Sequence, residues 1–238
     1  MAGTATSSEP RRPGRAHVFV ADLDAPALDA ADRHHLERVL RVRPGEEITV
    51  SDGRGAWRPC RLGPALEPLG AVVLEPRPSP EIAVAFAVVK GERPEWAVQK
   101  LTELGVDRIV PFAAARSVVR WDGDRATRQV ERLRRVAREA AMQCRRSRLP
   151  DVEEVATFAE VAARPGAVLA DHEGGPPALP AGPVLVGPEG GWSAEELARD
   201  LPRMVLGEHV LRAETAAVAV AALLGALRSG LVAPAAGG

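Results

Sequence analysis

A turn with almost no side chains, residues 187–191, lies between a short apolar run and the start of a helix. Its three glycines leave backbone N–H and C=O groups uncovered, so a ligand can approach closely, and a side chain at Gly190 is expected to fill the ligand's space. The S-x-x-E capping box at 193–196 predicts a helix directly after the turn. Neither the Lys-Ser or Lys-Thr of a phosphate-binding loop nor the G-x-G-x-x-G spacing of a dinucleotide site is present. The pattern indicates a ligand-binding turn, with a plain connecting loop as the alternative.

The stretch LGEHVLRAETAAVAVAALLGAL, residues 206–227, is the second candidate. A strand is expected to end at Leu206, and Glu214 with Thr215 is expected to open an alanine-rich helix that is buried or packs against a partner. Acidic and hydroxyl side chains at a helix N-terminus suit its exposed N–H groups, so simple capping is the alternative role for both residues. Each turn follows an apolar strand. This order predicts that both turns lie at the carboxyl edge of one sheet, where α/β folds bind ligands.

The order of predicted elements supplies the sheet that these turns require. After the proline-rich linker EPRPSP, residues 75–80, apolar strands alternate with helices, which predicts a parallel α/β domain over residues 80–233. Residues 16–76 contain short strands, including one at 71–75, and an Asp52-Gly53 hairpin, typical of a small β domain. A further strand is expected at 203–207. Residues 1–15 have no apolar segment and are expected to form a disordered tail, not a signal peptide.

The composition excludes several classes of protein. With 238 residues, 46% of them hydrophobic, the chain can bury a substantial core. No apolar run reaches the roughly 20 residues that span a bilayer, so no membrane contact is predicted. Cys60 and Cys144 form neither a disulfide framework nor a metal-binding pattern, and His34 and His35 lack partner ligands, so no metal is predicted. Such cysteine usage fits the cytoplasm. The net charge of -1 alone does not indicate a nucleic-acid partner.

The two turns together, GPEGGWS and LGEHVLRAETA, resemble the SPOUT superfamily of methyltransferases. More narrowly, they resemble the ribosomal RNA uracil-N3 methyltransferases that modify small-subunit (16S) RNA. The stretches HLERVLRVRPGE, KGERPEWAVQKLTELGVDRIVP and EAAMQCRRSRLP agree with that family, so the resemblance covers nearly the whole chain after the tail. One stretch departs from it. The family commonly reads glutamine-cysteine-glycine-arginine-asparagine where this chain has Gln143-Cys144-Arg145-Arg146-Ser147.

The resemblance implies a SPOUT-type parallel sheet with a C-terminal trefoil knot, preceded by a small PUA-like β-barrel domain. It implies S-adenosylmethionine as the cofactor, held by the two turns and by the stretch LADHEGG, and a homodimer with the knot helix at its interface. The cofactor-binding residues that it implies are His172, Glu173, Val186, Gly187, Pro188, Glu189, Gly190, Gly191, Leu206, Gly207, Val210, Leu211, Arg212, Thr215 and Ala216.

Methyl transfer to N3 of uracil needs help from the protein, because this nitrogen is protonated at neutral pH and is a poor nucleophile. An arginine near O2 and O4 stabilises the anion that forms, and a carboxylate can accept the proton or orient the base. Arg212, Glu214 and Arg145 are the candidate catalytic residues. Since N3–H takes part in Watson–Crick pairing, the target uridine must be unpaired or extruded from its helix.

Local charge predicts an RNA-binding surface. Between residues 125 and 148 nine arginines accompany two acids, Glu131 and Glu139, which gives a charge of +7. A face of one sign suits phosphate contacts, although an ordinary solvated face is the alternative. The predicted partner is ribosomal RNA within the small subunit. The candidate RNA-binding residues are Arg38, Arg41, Arg43, Arg134, Arg138, Arg145, Arg146 and Arg148.

Three other functions compete with uracil methylation on the sequence alone. The first is a SPOUT enzyme that modifies another base or a ribose 2′-hydroxyl, and the second is a non-catalytic RNA-binding protein. The third is a nucleotide-binding metabolic enzyme, which the absence of Lys-Ser or Lys-Thr after the glycines argues against. Trp192, directly after the glycine turn, either lines the site or packs beneath it.

Overall fold

The computed structural model describes residues 14–233, so all of the predicted tail except Gly14 and Arg15 lies outside the described residues. The chain divides into two compact units. The first contains the residues up to Arg77 together with Ala141–Arg148, and the second contains Pro78–Ala140 and the residues from Leu149 onward. The domain prediction did not include the assignment of residues 141–148 to the first unit. No helix within 14–233 is long and apolar enough to cross a membrane.

A five-stranded sheet with one short helix forms the first unit. Its elements are β1 (His17–Phe19), α1 (Ala30–His34), a π-helical turn (His35–Val39), β2 (Glu47–Ser51), β3 (Ala56–Arg61), β4 (Glu67–Pro68) and β5 (Val73–Leu74). β1 is parallel to β2, whereas β3 pairs antiparallel with β2, β4 and β5. The Asp52 carboxylate accepts hydrogen bonds from the backbone N–H groups of Arg54 (2.7 Å) and Ala56 (3.1 Å). The predicted Asp52-Gly53 hairpin is therefore confirmed.

Residues 141–148 contribute to the first unit through Ser147, which is buried. Its carbonyl oxygen accepts hydrogen bonds from the Ser51 hydroxyl (2.6 Å) and from the Gly55 N–H (3.2 Å), and its own hydroxyl contacts the Glu75 carboxylate. The Arg148 guanidinium lies over Gly55 and donates to the Glu75 carbonyl (3.3 Å). A side chain at Gly55 would occupy the position of this guanidinium, so the close approach requires glycine.

A parallel sheet with helices forms the second unit. Its elements are β6 (Ala83–Ala87), α2 (Arg93–Glu103), β7 (Arg108–Ala113), α3 (Gly123–Cys144, ending within the first unit), β8 (Asp151–Val152), β9 (Ala156–Thr157), α4 (Phe158–Ala162), β10 (Val168–Gly175), β11 (Val184–Val186), α5 (Ala194–Leu197), β12 (Arg203–Met204) and α6 (Ala213–Arg228). The strand order is β12-β10-β11-β6-β7-β8, with β9 also beside β7, and every pair is parallel. The predicted parallel α/β sheet is confirmed.

The central strand β6 is buried on both faces, which explains its uninterrupted apolar sequence. Val84 and Phe86 belong to a core cluster that includes side chains of α2, α3 and α6. Ala85 and Ala87, which alternate with them, belong to a second cluster with residues of α4 and with Trp192. The sheet is therefore covered on both sides, and its carboxyl edge remains available to the two turns.

Several short elements differ from the predictions. The strand expected at 71–75 contains only Val73–Leu74, and the strand expected at 203–207 contains only Arg203–Met204. Helix α4 was not predicted, although its sequence carries a signal for it: Thr157 and Glu160 form a capping box. Helix α6 begins at Ala213, one residue before the predicted start at Glu214.

Glu153, which follows β8, connects three segments of the second unit. Its carboxylate accepts two hydrogen bonds from the Arg164 guanidinium (2.9 and 2.7 Å) and one from Arg108 (3.3 Å). The hydrogen bonds from Arg164 lower the pKa of Glu153 below its usual value; burial opposes this shift, and the charges of Arg164 and Arg108 add to it. A carboxyl group with a lowered folded-state pKa stabilises the fold above its unfolded pKa, and this stabilisation is lost as the pH falls through the folded-state value.

We therefore expect Glu153→Gln to lower the free energy of unfolding by about 1 kcal/mol at pH 7. The difference from wild type should begin to shrink as the pH falls below about 4 and should vanish only below the lowered folded-state pKa, where the wild-type carboxyl group is protonated in both states. Urea denaturation at pH 7 and at low pH measures both values. Glu131→Gln, on the exposed surface of α3, is the matched control and should have little effect. An equal difference at both pH values would contradict this account.

Candidate functional site

A cavity of about 370 Å³ lies at the carboxyl edge of the parallel sheet. We call it the first cavity. Three segments enclose it: the middle of β10, the turn after β11, and the loop that joins β12 to α6. Its walls are mainly apolar side chains and backbone, and its size is within the range of small-molecule sites. The lining residues are Ala170, Asp171, His172, Val186, Gly187, Pro188, Glu189, Gly191, Trp192, Leu197, Leu206, Gly207, His209, Val210, Leu211, Ala213 and Ala216.

Most of the predicted cofactor-binding residues line this cavity, and four do not. Glu173 does not line it and forms an ion pair with Arg203 (2.9 Å). Arg212 and Thr215 line a different cavity. At Gly190 a Cβ atom would meet the Cβ of Arg116 at 3.3 Å, contrary to the expectation that it would fill the ligand's space. The prediction missed Ala170, Asp171, Leu197, His209 and Ala213. For all of these except Leu197, which lies in α5, their position in the second turn or the LADHEGG stretch was the available signal.

Trp192 fixes the conformation of the glycine turn. Its indole N–H donates to the Ala170 carbonyl (3.1 Å), which joins the turn to β10. The ring stacks on Phe112, with centroids 6.3 Å apart and planes at 9°, and its own atoms would lie 3.1–3.3 Å from a Cβ at Gly187. The turn closes through the Gly191 N–H and the Pro188 carbonyl (2.9 Å), with Gly191 at φ 69°. Trp192 therefore both lines the cavity and packs against the core.

The loop after β7 supports the other side of the turn. The capping box of Ser193 and Glu196 starts α5, and the buried Glu196 carboxylate also accepts a hydrogen bond from the Ala115 N–H (2.9 Å). The Arg116 guanidinium donates to the Gly190 carbonyl (3.0 Å). The glycine turn is consequently held by hydrogen bonds to groups on both of its sides.

The third wall of the first cavity is an irregular part of β10. Met204 of β12 pairs with both Ala170 and Gly175, so residues 171–174 bulge between these two contacts. This bulge places Asp171 and His172 at the cavity. Gly174 lies directly against the neighbouring strand, because a Cβ there would be 2.5 Å from the backbone N and C of Met204. Next to it, Gly175 has open space on its Cβ side.

A second cavity, of about 530 Å³, shares Val210 and Leu211 with the first. Its other lining residues are Arg93, Trp96, Arg212, Glu214 and Thr215. The Arg93 guanidinium forms an ion pair with Glu189 of the glycine turn, and its Nη1 lies 4.0 Å from Oε2 of Glu214. This buried Oε2 has no hydrogen-bond partner in the described part of the chain. Arg93 was missed, although it follows β6 at the same sheet edge.

The structure brings together two of the three predicted catalytic residues. Arg212 and Glu214 line the second cavity. Arg145 belongs to the first unit, where its guanidinium donates to the Arg15 carbonyl (3.1 Å). Its φ of 61° lies in the left-handed region that favours glycine.

The predicted RNA-binding arginines lie in both units. Arg38, Arg41 and Arg43 are exposed in the first unit, near the end of its short helical segment, whereas Arg146 and Arg148 are half-buried there. On α3, Arg134 pairs with Glu154 (2.8 Å), and the neighbouring Arg132 pairs with Glu95 (3.0 Å). Arg138 is half-buried. Acids from other elements therefore offset part of the +7 charge counted along the sequence. Within 14–233, no group of three or more His, Cys, Asp or Glu residues is arranged to hold a metal ion.

Comparisons with known proteins agree with this arrangement. Residues 75–225 match the family model of the RNA methyltransferase domain, and residues 28–65 match that of the RNA methyltransferase PUA domain. The chain is 36% identical to ribosomal RNA small subunit methyltransferase E of Mycobacterium tuberculosis, over 85% of this chain and 86% of the relative. It is 33% identical to the same enzyme of Bacillus subtilis, over 80% and 85%.

A solved structure has the same fold. The crystal structure of ribosomal RNA small subunit methyltransferase E from Neisseria gonorrhoeae, bound to S-adenosyl methionine, superposes with a TM-score of 0.74 at 27% identity. The match covers 89% of this chain and 97% of that one. The likeness therefore extends over both units.

The β10 bulge gives a test of how the first cavity is built. We expect Gly174→Ala to lower the free energy of unfolding by roughly 1–3 kcal/mol, because its methyl group would push β12 away. Gly175→Ala adds the same methyl group into open space and should change this free energy by less than about 0.5 kcal/mol. Urea denaturation of the two variants measures the contrast. Equal effects would show that β10 and β12 are not in close contact at Gly174.

Proposed function

Since the chain belongs to the RNA methyltransferase family, we propose that it transfers a methyl group from S-adenosylmethionine to N3 of a uridine in small-subunit ribosomal RNA. The observation that carries this proposal is the first cavity, which the two predicted turns and the β10 bulge enclose. The relatives described above are named as small-subunit ribosomal RNA methyltransferases, and the solved one holds S-adenosyl methionine.

The residues of the first cavity fit this methyl donor. The volume suits a ligand of its size, and the apolar walls suit an adenine ring. Gly187 and Gly191 carry no side chain, so the polar parts of a ligand can approach the backbone of this turn closely. When bound, S-adenosylmethionine supplies a methyl group activated on a positively charged sulfur. The lining residues of the first cavity would hold it.

Two side chains of the second cavity have the chemistry that uracil N3 requires. Glu214 lines this cavity, and its carboxylate can accept the proton of N3. Arg212 is exposed, and its guanidinium can stabilise the negative charge that spreads onto O2 and O4. A catalytic contribution of Arg145 stays a prediction.

The wider assembly belongs to the same proposal. We propose that the segment between β11 and α6 forms the trefoil knot and that the protein acts in the cytoplasm as a homodimer on RNA of the small subunit. An apolar groove along α6, with Leu104, Ala222 and Leu231 in its walls, supports a dimer through this domain. The exposed Arg38, Arg41 and Arg43 are the proposed contacts of the first unit with RNA phosphates.

The reaction is tested by nucleoside analysis. Small-subunit ribosomal RNA from cells that lack this protein should contain no 3-methyluridine, as measured by mass spectrometry of the digested RNA. Expression of the wild-type chain should restore it. If a 2′-O-methylated nucleoside or another methylated base disappears instead, the chain is a different RNA methyltransferase, and the proposed target is wrong.

The cofactor site is tested by two matched glycine variants. Gly187→Ala should weaken S-adenosylmethionine binding by about tenfold or more, because the methyl group displaces the tightly packed Trp192. Gly190→Ala should bind almost normally, since its methyl group faces Arg116. Isothermal titration calorimetry measures both affinities. Normal binding by the Gly187 variant would place the cofactor outside the first cavity.

A further inference from the structure

The target base needs a site next to the methyl donor, and the second cavity adjoins the first. The two share Val210 and Leu211, so a ligand in either cavity lies against the same short loop. Charged groups of both signs line the second cavity. Arg212 can donate hydrogen bonds to the carbonyl oxygens of a nucleobase, whereas Glu214 can accept one from a ring N–H. Uracil presents this combination at its N3 edge, with the N–H between two carbonyl groups.

An extruded base also needs a flat surface on which to stack, and few side chains of this protein provide one. The chain has four tryptophans, four phenylalanines and no tyrosine, all within residues 14–233. Seven of these eight rings are at most 9% exposed, whereas Trp96 is 44% exposed. Trp96 lines the second cavity. It is therefore the aromatic side chain of this chain that an RNA base can reach.

Trp96 does not belong to the buried face of α2. The buried face of this helix consists of Pro94, Ala97, Val98, Leu101 and Thr102. In the described residues the indole of Trp96 stacks on no other aromatic ring. Arg93 lies one helical turn before Trp96 in α2, pairs with Glu189 and approaches Glu214. It therefore places a charged group beside Trp96 in the wall of the second cavity.

We infer that the second cavity receives the target uracil, whose ring stacks on Trp96 while its N3 edge faces Arg212 and Glu214. This inference rests on the proposed function and adds the residue that positions the base. Stacking of a base on an aromatic side chain is sequence-tolerant, so the specificity for a pyrimidine with an N3–H comes from the two charged groups.

The test uses the fluorescence of Trp96 and the rate of methylation. Small-subunit ribosomal RNA from cells that lack the protein is added to the full chain with S-adenosylhomocysteine present, which prevents turnover. We expect this RNA to quench the wild-type fluorescence. Trp96→Phe should lose the quenching because the three remaining tryptophans are buried, but should keep methylation within a few-fold, since phenylalanine also stacks. Trp96→Ala should lower kcat/KM by about 5- to 150-fold.

Controls separate base stacking from folding and from cofactor binding. Leu179→Ala, which lies in neither cavity, should keep both the quenching and the rate. The affinity for S-adenosylmethionine, measured by calorimetry, should be unchanged in all the Trp96 variants. Unchanged kcat/KM in Trp96→Ala would overturn the inference, as would RNA quenching that persists in Trp96→Phe. A smaller particle mass for Trp96→Ala by light scattering would also overturn it, because Trp96 would then contact a second copy of the chain.

Failure of the proposed function gives a different result. If the wild-type chain produced no 3-methyluridine, the reaction would be wrong, yet quenching of Trp96 by RNA would still support a base-binding cavity. If the wild type methylated N3 and Trp96→Ala did so at the same rate, only the inference about Trp96 would fail.

Discussion

The contact between the Trp192 ring and the bare backbone of Gly187 determines the shape of the first cavity. The ring is stacked on Phe112 of the central sheet, and its N–H is bonded to Ala170 of β10. One side chain thus connects the glycine turn, the bulged strand and the core. Because these contacts already hold the turn in the absence of a ligand, ligand binding has to order it little further. This preorganisation favours affinity.

Charge links the first cavity to the second. Arg93 at the start of α2 pairs with Glu189 of the glycine turn and approaches Glu214 at the start of α6. Three segments far apart in sequence meet here because each follows a strand of the same parallel sheet. An arginine suits this position, since its guanidinium can donate to more than one carboxylate at once.

The sequence was sufficient to predict the parts of the site that depend on local chemistry. The glycine turn, the capping box at Ser193 and the start of α6 follow from residue types and spacing, and the structure places the two turns at one sheet edge. Directions of side chains were not predictable, because they depend on packing. Gly190 faces Arg116, Arg134 pairs with Glu154, and Arg93 reaches two acids, all through contacts between residues distant in sequence. Short strands escaped prediction for the same reason.

The first unit is built from two separate parts of the polypeptide, and this has a consequence for its synthesis. The hydrogen bonds of Ser147 and the guanidinium of Arg148 reach β2, the following hairpin and Glu75, so they can form only after the ribosome has translated the chain well past the β strands. The amino-terminal strands therefore lack these hydrogen bonds until about seventy further residues have been translated. The first unit can therefore be completed only after most of the first half of the second unit has been translated.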